Sequence, residues 1–439
     1  MSRRYEVTGR TAVEIAGSVE AAVRSGTLST GEALPAIRGL AADLNVSPGT
    51  VASGYKLLRQ RGVVETAGRA GTRVRARPPL GARAAQRVLV PDGVTDLSGG
   101  GPDPALLPAF GPRLARVNPF PAGYERGGAL PELLELARER LAADQVPTGA
   151  VTVTGGALDG IERVLGAHLL AGDRVAVEDP GWGNLLDLLA ALGLHPVPMP
   201  VDDSGPTVDG LDAALRAGAR ACIVTSRAQN PTGAAVTAER ATALRGVLGA
   251  HPEVLVIEDD HAAELSDTPL APLAGATTCW AFLRSTSKPY GPDLRLAVLA
   301  GDSATVARVE GRMLMGTGWV SGVLQQLVVE LWRDPGVAAL VERARTAYRE
   351  RRQGLLDALA DRGVAAVGRT GINIWVPVAD ETAAVTRLRD AGWAVSPGAV
   401  YRLASPPAVR VTVSALTARE AFADALAAAH RPGRPRFGV

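Results

Sequence analysis

The sequence predicts an α/β protein in two parts: an N-terminal winged helix-turn-helix, then a large domain with a mostly parallel sheet covered by helices on both faces, ending in a small α+β lobe. Three observations carry that prediction. Charge changes sign along the chain: residues 1–90 hold 14 Lys+Arg against 6 Asp+Glu, and the remainder 33 against 39. The segment Arg75 to Gly93, with Pro78, Pro79, Gly81, Pro91 and Gly93, has linker composition. Beyond it, short apolar runs alternate with amphipathic stretches, the pattern of a parallel sheet. The 439 residues leave room for more than one core, and 46% hydrophobic with 21% charged residues excludes disorder, collagen or coiled coil over most of the length. The expected division is a winged helix-turn-helix domain over 1–75, a linker over 76–95 and a second domain over 96–435, its small lobe occupying approximately 363–435.

Taken in order, Thr11 to Ser25 places Val13, Ile15, Ala16, Val19, Ala22 and Val23 at helical spacing, and Gly26 stops the helix. Ala36 to Leu44 follows as a short helix. Asn45-Val46-Ser47 turns the chain into a second, Pro48 to Gln60, with Ser47 as N-cap and Pro48 at the first helical position. Val63–Thr66, a Gly-containing turn and Thr72–Arg75 read as a two-stranded wing. In the second domain the predicted strands are Val151–Thr154, Arg174–Val177, Ala221–Thr225, Val254–Ile257, Ala281–Arg284 and Leu296–Ala300. Helices over Leu158–Leu170, Leu185–Leu192 and Ala238–Leu248 separate some of them. A long helical zone, Ser303 to Arg362, leads into strands Asn373–Val378 and Val409–Val413 with helices over 380–391 and 417–430.

The N-terminal residues lead into no apolar signal core, and no run of about 18 apolar residues occurs, so a cytoplasmic protein without membrane attachment is expected. Cys222 and Cys279 are far apart without CxxC spacing, and only five His are present, so neither a disulfide framework nor a metal site is expected. Of the 47 Lys+Arg, only Lys56 and Lys288 are lysine. Codon bias accounts for the arginines. A guanidinium stays protonated and cannot act as an amine nucleophile, so a surviving lysine is a candidate for amine chemistry.

Lys288 lies in Ser285-Thr286-Ser287-Lys288-Pro289 after an apolar strand, with Arg295 seven residues on; the hydroxyls and the guanidinium suit a phosphate. Glu258-Asp259-Asp260-His261 puts carboxylates at the end of a buried strand, where open α/β sheets hold ligands; one could pair with a pyridinium nitrogen, cap the strand or bind Mg²⁺. Asn230-Pro231-Thr232-Gly233 ends the preceding strand, as a turn or as an amide facing the same crevice. Thr154-Gly155-Gly156-Ala157 closes a strand and opens a helix, an arrangement that holds phosphate on free N–H groups.

In this order, these residues resemble the fold type I, aspartate aminotransferase-like family of pyridoxal 5'-phosphate (PLP) proteins, from about Asp96 to Arg431. The resemblance implies that Lys288 forms the Schiff base with PLP, Asp259 pairs with the pyridinium nitrogen and Asn230 bonds the phenolic oxygen. It assigns Gly155, Gly156, Ala157, Ser285, Ser287 and Arg295 to the phosphate, Trp182 to the ring face, and Arg410 to a ligand carboxylate. The N-terminal part resembles the GntR family, through Ser29-Thr30-Gly31-Glu32-Ala33-Leu34-Pro35, Arg38-Gly39-Leu40-Ala41, Asn45-Val46-Ser47, Thr50-Val51 and Gly71-Thr72. The combination is similar to the MocR architecture. It implies Arg38, Ser47, Thr50, Tyr55, Lys56 and Arg69 as DNA contacts, mostly to phosphates.

Two positions depart from the family pattern. Pro48 stands where an arginine is usual, and His261 stands where a tyrosine supports the phenolic oxygen; an imidazole can donate there but titrates near neutral pH. The resemblance implies a homodimeric, cytoplasmic transcriptional regulator that binds double-stranded operator DNA and senses PLP or an amino compound. The alternative is a PLP-dependent aminotransferase with an accessory N-terminal domain. A regulator without PLP is disfavoured, because Lys288, Asp259, Asn230 and Arg295 are all present.

Overall fold

The computed structural model describes residues 7–25, 27–29, 31–60, 63–66, 71–75, 90–117 and 127–430. These fall into two compact units, one built on the N-terminal helices and hairpin, the other on the large α/β body.

The N-terminal unit holds α1 (Ala12–Ser25), α2 (Ile37–Asp43), α3 (Pro48–Gln60), β1 (Val64–Thr66) and β2 (Thr72–Val74). Helix α1 starts with a reciprocal cap. The Glu14 carboxylate accepts from the Arg10 and Thr11 amides, and Thr11 Oγ1 accepts from the Glu14 amide. Asn45, at φ 52°, makes the turn between α2 and α3. Ser47 Oγ then accepts from the Thr50 amide at 3.1 Å, the predicted cap. The wing is an antiparallel pair with Val64 opposite Val74 and Thr66 opposite Thr72. Ile15, Val19, Leu40, Val51, Tyr55 and Leu58 form a shared core with Val64 and Val74.

The body begins with β3 (Thr95–Asp96), α4 (Gly111–Leu114) and α5 (Pro131–Ala143). It continues through β4 (Ala150–Thr154), α6 (Ala157–His168), β5 (Arg174–Asp179), α7 (Gly183–Ala191), β6 (His195–Asp202), β7 (Gly205–Pro206) and α8 (Val208–Arg216). Next come β8 (Ala219–Thr225), α9 (Ala238–Gly249), β9 (Leu255–Asp260), β10 (Cys279–Ser285), α10 (Ser287–Tyr290) and β11 (Ala297–Gly301). The sheet order is β4-β11-β10-β9-β8-β5-β6-β7. Strands β5, β8, β9 and β10 run parallel, while β11 runs antiparallel to both β10 and β4. Every residue of β9 and β11 is buried; β11 is apolar throughout, and β9 is apolar as far as Ile257.

The expected long helical zone is three helices, α11 (Ser303–Leu314), α12 (Gly322–Arg333) and α13 (Pro335–Ala360). Asp334 caps the last by accepting from the Gly336 and Val337 amides, with Pro335 at its first position. The small lobe adds β12 (Asn373–Pro377), α14 (Glu381–Asp390), β13 (Trp393–Ala394), β14 (Ser396–Pro397), β15 (Ala408–Thr412) and α15 (Arg419–His430). Strands β12, β15 and β14 form an antiparallel sheet. Its core includes Leu355, Leu359, Ile374, Val409, Val411 and Phe422.

The elements that escaped the sequence reading include α5, β6, β7 and α8, together with the short β3, α4, α10, β13 and β14. Strand β6 carries Pro196, Pro198 and Pro200, which argue against a strand when read locally. The strand expected over Val254–Ile257 extends to Asp260, so the acidic residues lie within the sheet. Among the described residues no helix is long and apolar enough to cross a membrane.

Candidate functional site

The predicted residues converge at the carboxyl ends of the parallel strands, the usual ligand position in such sheets. Gly155 and Gly156 follow β4, Trp182 follows β5, Asn230 follows β8, Asp259 lies in β9, and Lys288 is in the first turn after β10. Register fixes Asp259 beside Thr225 on one neighbouring strand and Leu283 on the other.

Successive carboxylates of β9 serve opposite faces, as strand alternation requires. Asp260 takes Nε and Nη2 of Arg227 at 3.0 and 2.7 Å and Nε of Arg284 at 2.9 Å. These guanidiniums outweigh the burial penalty and hold its carboxyl below the usual range. Asp259 lies on the other side and lines a small cavity with Trp182, Thr225 and Glu178. It is 3% exposed, and its Oδ1 has no hydrogen-bond partner. Burial, then repulsion from Asp260 and Glu178, pushes its pKa up to about 8, against the attraction of Lys288.

Burial and the Arg410 guanidinium bring Lys288 down to about 8, so about a tenth is the free amine at pH 7; Asp259 opposes that shift. Its Nζ donates to the Gly100 carbonyl. His261 is depressed to about 4, first by burial and then by Lys288, so it is neutral at physiological pH. Its Nε2 lies 2.8 Å from the Ala228 carbonyl, which can only accept. With the ring neutral, its single N–H goes to Ala228 and Nδ1 is left as an acceptor, which differs from the donor role that the sequence left open for His261.

Glu178, at the end of β5, accepts from the Thr225 amide, Thr225 Oγ1 and Gln229 Nε2 at 3.0, 2.8 and 3.2 Å. Gln229 also donates to the Pro180 carbonyl and accepts from Thr232, tying the Trp182 loop to the turn that carries Asn230. The braces to Glu178 and Pro180 were not signalled in the sequence, because they join segments far apart in the chain.

The phosphate cradle differs in detail from expectation. The Gly155 amide is not free, because it donates to Asp159 at 2.8 Å. Gly156, at φ 109°, and Ala157 place their amides at the start of α6. Arg295, in the left-handed region at φ 43°, is exposed and reaches over this turn; a Cβ on Gly156 would lie 3.0 Å from its Nη2. Ser285 Oγ accepts from the Ser287 amide at 3.2 Å, which shapes the turn into α10.

Arg410 lies in the middle strand of the small sheet and is 4% exposed, which removes the alternative of a surface charge on an edge strand. Its Nη1 donates to Asn230 Oδ1 at 3.1 Å and its Nη2 to the Ser98 carbonyl, while Nε is buried and unpaired. Asn230 is thus engaged from the carboxylate side of the crevice. Gly100, at φ 68°, is required by packing as well: a Cβ there would sit 2.8 Å from Nη1 of Arg410.

On the N-terminal unit, Arg38, Ser47 and Lys56 are exposed and Thr50 is half-buried. Ser47 Oγ and Thr50 Oγ1 lie 2.9 Å apart and brace each other. Tyr55 is a correction. It is 1% exposed in the helical core and its hydroxyl donates to the Pro35 carbonyl, so it holds α3 on the preceding segment and offers DNA no surface. Arg69 lies outside the described residues.

The donor set fits a phosphorylated pyridine aldehyde. A depressed lysine amine, a buried carboxylate lacking a partner, and helix-start amides under an arginine meet three different parts of such a molecule. Family comparison agrees with the architecture. Residues 11–74 match the bacterial regulatory proteins of the gntR family, and residues 122–428 match aminotransferase class I and II. The chain is 40% identical to the vitamin B6 salvage pathway transcriptional repressor PtsJ of Salmonella typhimurium, over 94% of this chain and 96% of that one. It is 29% identical to the HTH-type pyridoxine biosynthesis transcriptional regulator PdxR of Corynebacterium glutamicum, over 77% and 76% of the two chains. Among solved structures, the α-aminoadipate aminotransferase LysN of Thermus thermophilus superposes with a TM-score of 0.67 at 22% identity, over 80% of this chain and 96% of that one. That last likeness shows the fold alone.

Fold and site thus define a class, transcriptional regulators in which a gntR-type helix-turn-helix is joined to an aminotransferase class I and II domain. The chain belongs to that MocR-like family, with PtsJ and PdxR among its relatives. The relatives alike across both domains are regulators, so the accessory-domain enzyme gives way to the regulator reading.

Proposed function

We propose that the protein is a PLP-responsive transcriptional regulator acting on operator DNA as a homodimer in the cytoplasm, where a DNA-bound regulator works. Its DNA-binding part is residues 1–75, its cofactor-binding part 96–435, and 76–95 the linker. The observation that carries this reading is the unpartnered, buried Asp259 Oδ1 in the same crevice as Lys288. A pyridine nitrogen is the partner that such a carboxyl lacks.

When bound, PLP supplies an aldehyde that links covalently to an amine and a ring that accepts electron density. The chain's residues do the rest. Lys288 offers an amine already partly deprotonated at neutral pH. Asp259 holds or yields a proton at the ring nitrogen. Gly156, Ala157, Ser287 and Arg295 bind phosphate oxygens, Trp182 covers the ring face, and neutral His261 accepts through Nδ1 instead of donating. A ligand carboxylate reaches Arg410 by displacing the Ser98 carbonyl. The effector is PLP itself or an amino compound that competes with Lys288. The name of the PtsJ relative favours a vitamin B6 compound. DNA affinity changes only if that ligand has different affinities for the two states of the protein.

The test is spectroscopic and functional together. Protein incubated with PLP and desalted should keep a band in the near-visible range that Lys288→Ala abolishes, and added PLP should alter operator affinity in wild type but not in the variant. A variant that keeps the band, or a wild type that never shows one, refutes the assignment.

A further inference from the structure

The small lobe approaches the crevice through the loop Val400–Ser405, which leads into β15 and Arg410. Tyr401 in that loop places its ring 5.0 Å from the Arg410 guanidinium carbon and its hydroxyl 2.9 Å from Ser396 Oγ. Ser396 is the strand partner of Arg410. The loop is the wall against which the carboxylate-reading arginine rests.

Two carboxylates hold it, and they come from different places. Glu381 starts α14, inside the small lobe, and accepts from the Ala399 and Ala408 amides at 2.8 and 3.1 Å while pairing with Arg402 at 2.7 Å. It closes the base of the loop within its own lobe. Asp179 ends β5 of the large sheet, three residues before Trp182. Its two oxygens accept from three successive amides, Leu403, Ala404 and Ser405, at 2.9, 2.7 and 2.9 Å, and from Ser405 Oγ at 2.9 Å. Successive amides pointing one way form an anion-binding concavity, here filled by a carboxylate of the chain itself. Asp179 is 5% exposed, so the accepting end of these part-buried bonds is sheltered from water. The contact extends along the Trp182 loop: the Gly181 amide donates to the Tyr401 carbonyl at 2.8 Å, and a Cβ on Gly183 would lie 2.8 Å from the Val400 carbonyl.

We propose that Asp179 is a positioning residue that fastens the Arg410-bearing side of the small lobe to the Trp182 loop, so that ligand carboxylate and cofactor ring are read as one rigid unit. The proposal rests on the PLP reading above. Its consequence is selectivity. With the loop fastened, Tyr401 and Arg410 sit at a fixed distance from the ring, and an amine carrying a carboxylate one carbon away gains both contacts. With it loose, Arg410 no longer discriminates. Asn cannot replace Asp179 well, because its amide nitrogen would point a donor at a row of donors.

The experiment uses the full-length, PLP-loaded protein and compares L-alanine with ethylamine by absorbance titration, since only the first carries a carboxylate. Wild type should bind L-alanine at least about tenfold more tightly, as a charge-assisted contact to arginine implies. Asp179→Asn and Asp179→Ala should bring that ratio to within about threefold while retaining the cofactor band. Ser405→Ala, which deletes one bond and leaves Asp179 in place, should lower the ratio in the same direction. Glu381→Gln, which loosens the loop only within its lobe, should leave the ratio near wild type. An unchanged ratio in the Asp179 variants, equal losses in the Asp179 and Glu381 variants, or no carboxylate preference in wild type overturns the proposal. A wild type without a cofactor band overturns instead the reading on which it rests.

Discussion

At the scale of single residues, burial decides what each ionisable group can do. Asp259 and Asp260 are adjacent and chemically identical, yet one is pushed up to about 8 and the other held below its ordinary value, because only Asp260 meets guanidiniums. A carboxyl raised from an ordinary 3.8 stabilises the fold most at low pH, and that contribution is lost as pH rises through about 8. Protein without PLP should therefore lose stability between about pH 4 and pH 8. Asp259→Asn, which removes the ionisable group and keeps a neutral polar side chain, should reduce that slope and raise stability at pH 8 by at least about 1 kcal/mol, the worth of one unit of pKa difference. Denaturant unfolding at several pH values checks this, and an unaltered slope would contradict the assignment. Some slope should persist, since Glu178 and Glu258 are also raised by burial, both to about 7. The same substitution should weaken retention of PLP, separating stability from function. His261 shows the reverse sign: depressed to about 4, it costs stability as pH falls through its ordinary 6.5.

At the scale of elements, the reach of the sequence depended on how local the stabilising contact was. The α3 cap is local, formed by Ser47, Pro48 and Thr50, and it was legible. Tyr55 in the same helix was misread as a DNA contact because helical spacing alone does not say which face is covered. Its hydroxyl bonds a carbonyl twenty residues earlier. Tyr55→Phe should cost about 1 kcal/mol and leave DNA affinity nearly unchanged at temperatures where the domain is folded. Tyr55→Ala should cost about 3–5 kcal/mol and lose DNA binding by unfolding. Thermal melts alongside operator titrations separate the two, and a large affinity loss in folded Tyr55→Phe would restore the contact role. Strand β9 was legible as an apolar run, but its extension through the acids to Asp260 was not, because that extension depends on pairing with β8 and β10.

At the scale of the whole molecule, the charge break along the chain matches the two-domain division, with a basic gntR-type domain and an acidic aminotransferase-like body. If phosphate contacts dominate, operator affinity should fall steeply with salt, by about 0.9 log units per log unit of salt for each phosphate neutralised. Lys56→Gln, present twice in the proposed homodimer, should reduce that slope by about 2 without changing operator preference. Fluorescence anisotropy over a range of salt concentrations measures it. An undiminished slope would place Lys56 off the DNA.

The sequence by itself determined the two-domain order, the helix-turn-helix, the parallel sheet and the main residues of the crevice: Lys288, Asp259, Asn230, Trp182 and Arg410. Lys288, Asp259 and Asn230 lie in short motifs at or just beyond strand ends, where local spacing singles them out, while Trp182 and Arg410 were singled out by the resemblance to the aminotransferase-like family. Only the tertiary structure decided how those residues behave. It turned His261 from donor to acceptor through Ala228, took the Gly155 amide for Asp159, buried Tyr55, and joined Asp179 to a loop 224 residues further along the chain. Hydrogen-bond partners and burial are set by elements that meet in space, and spacing along one chain carries no record of those meetings.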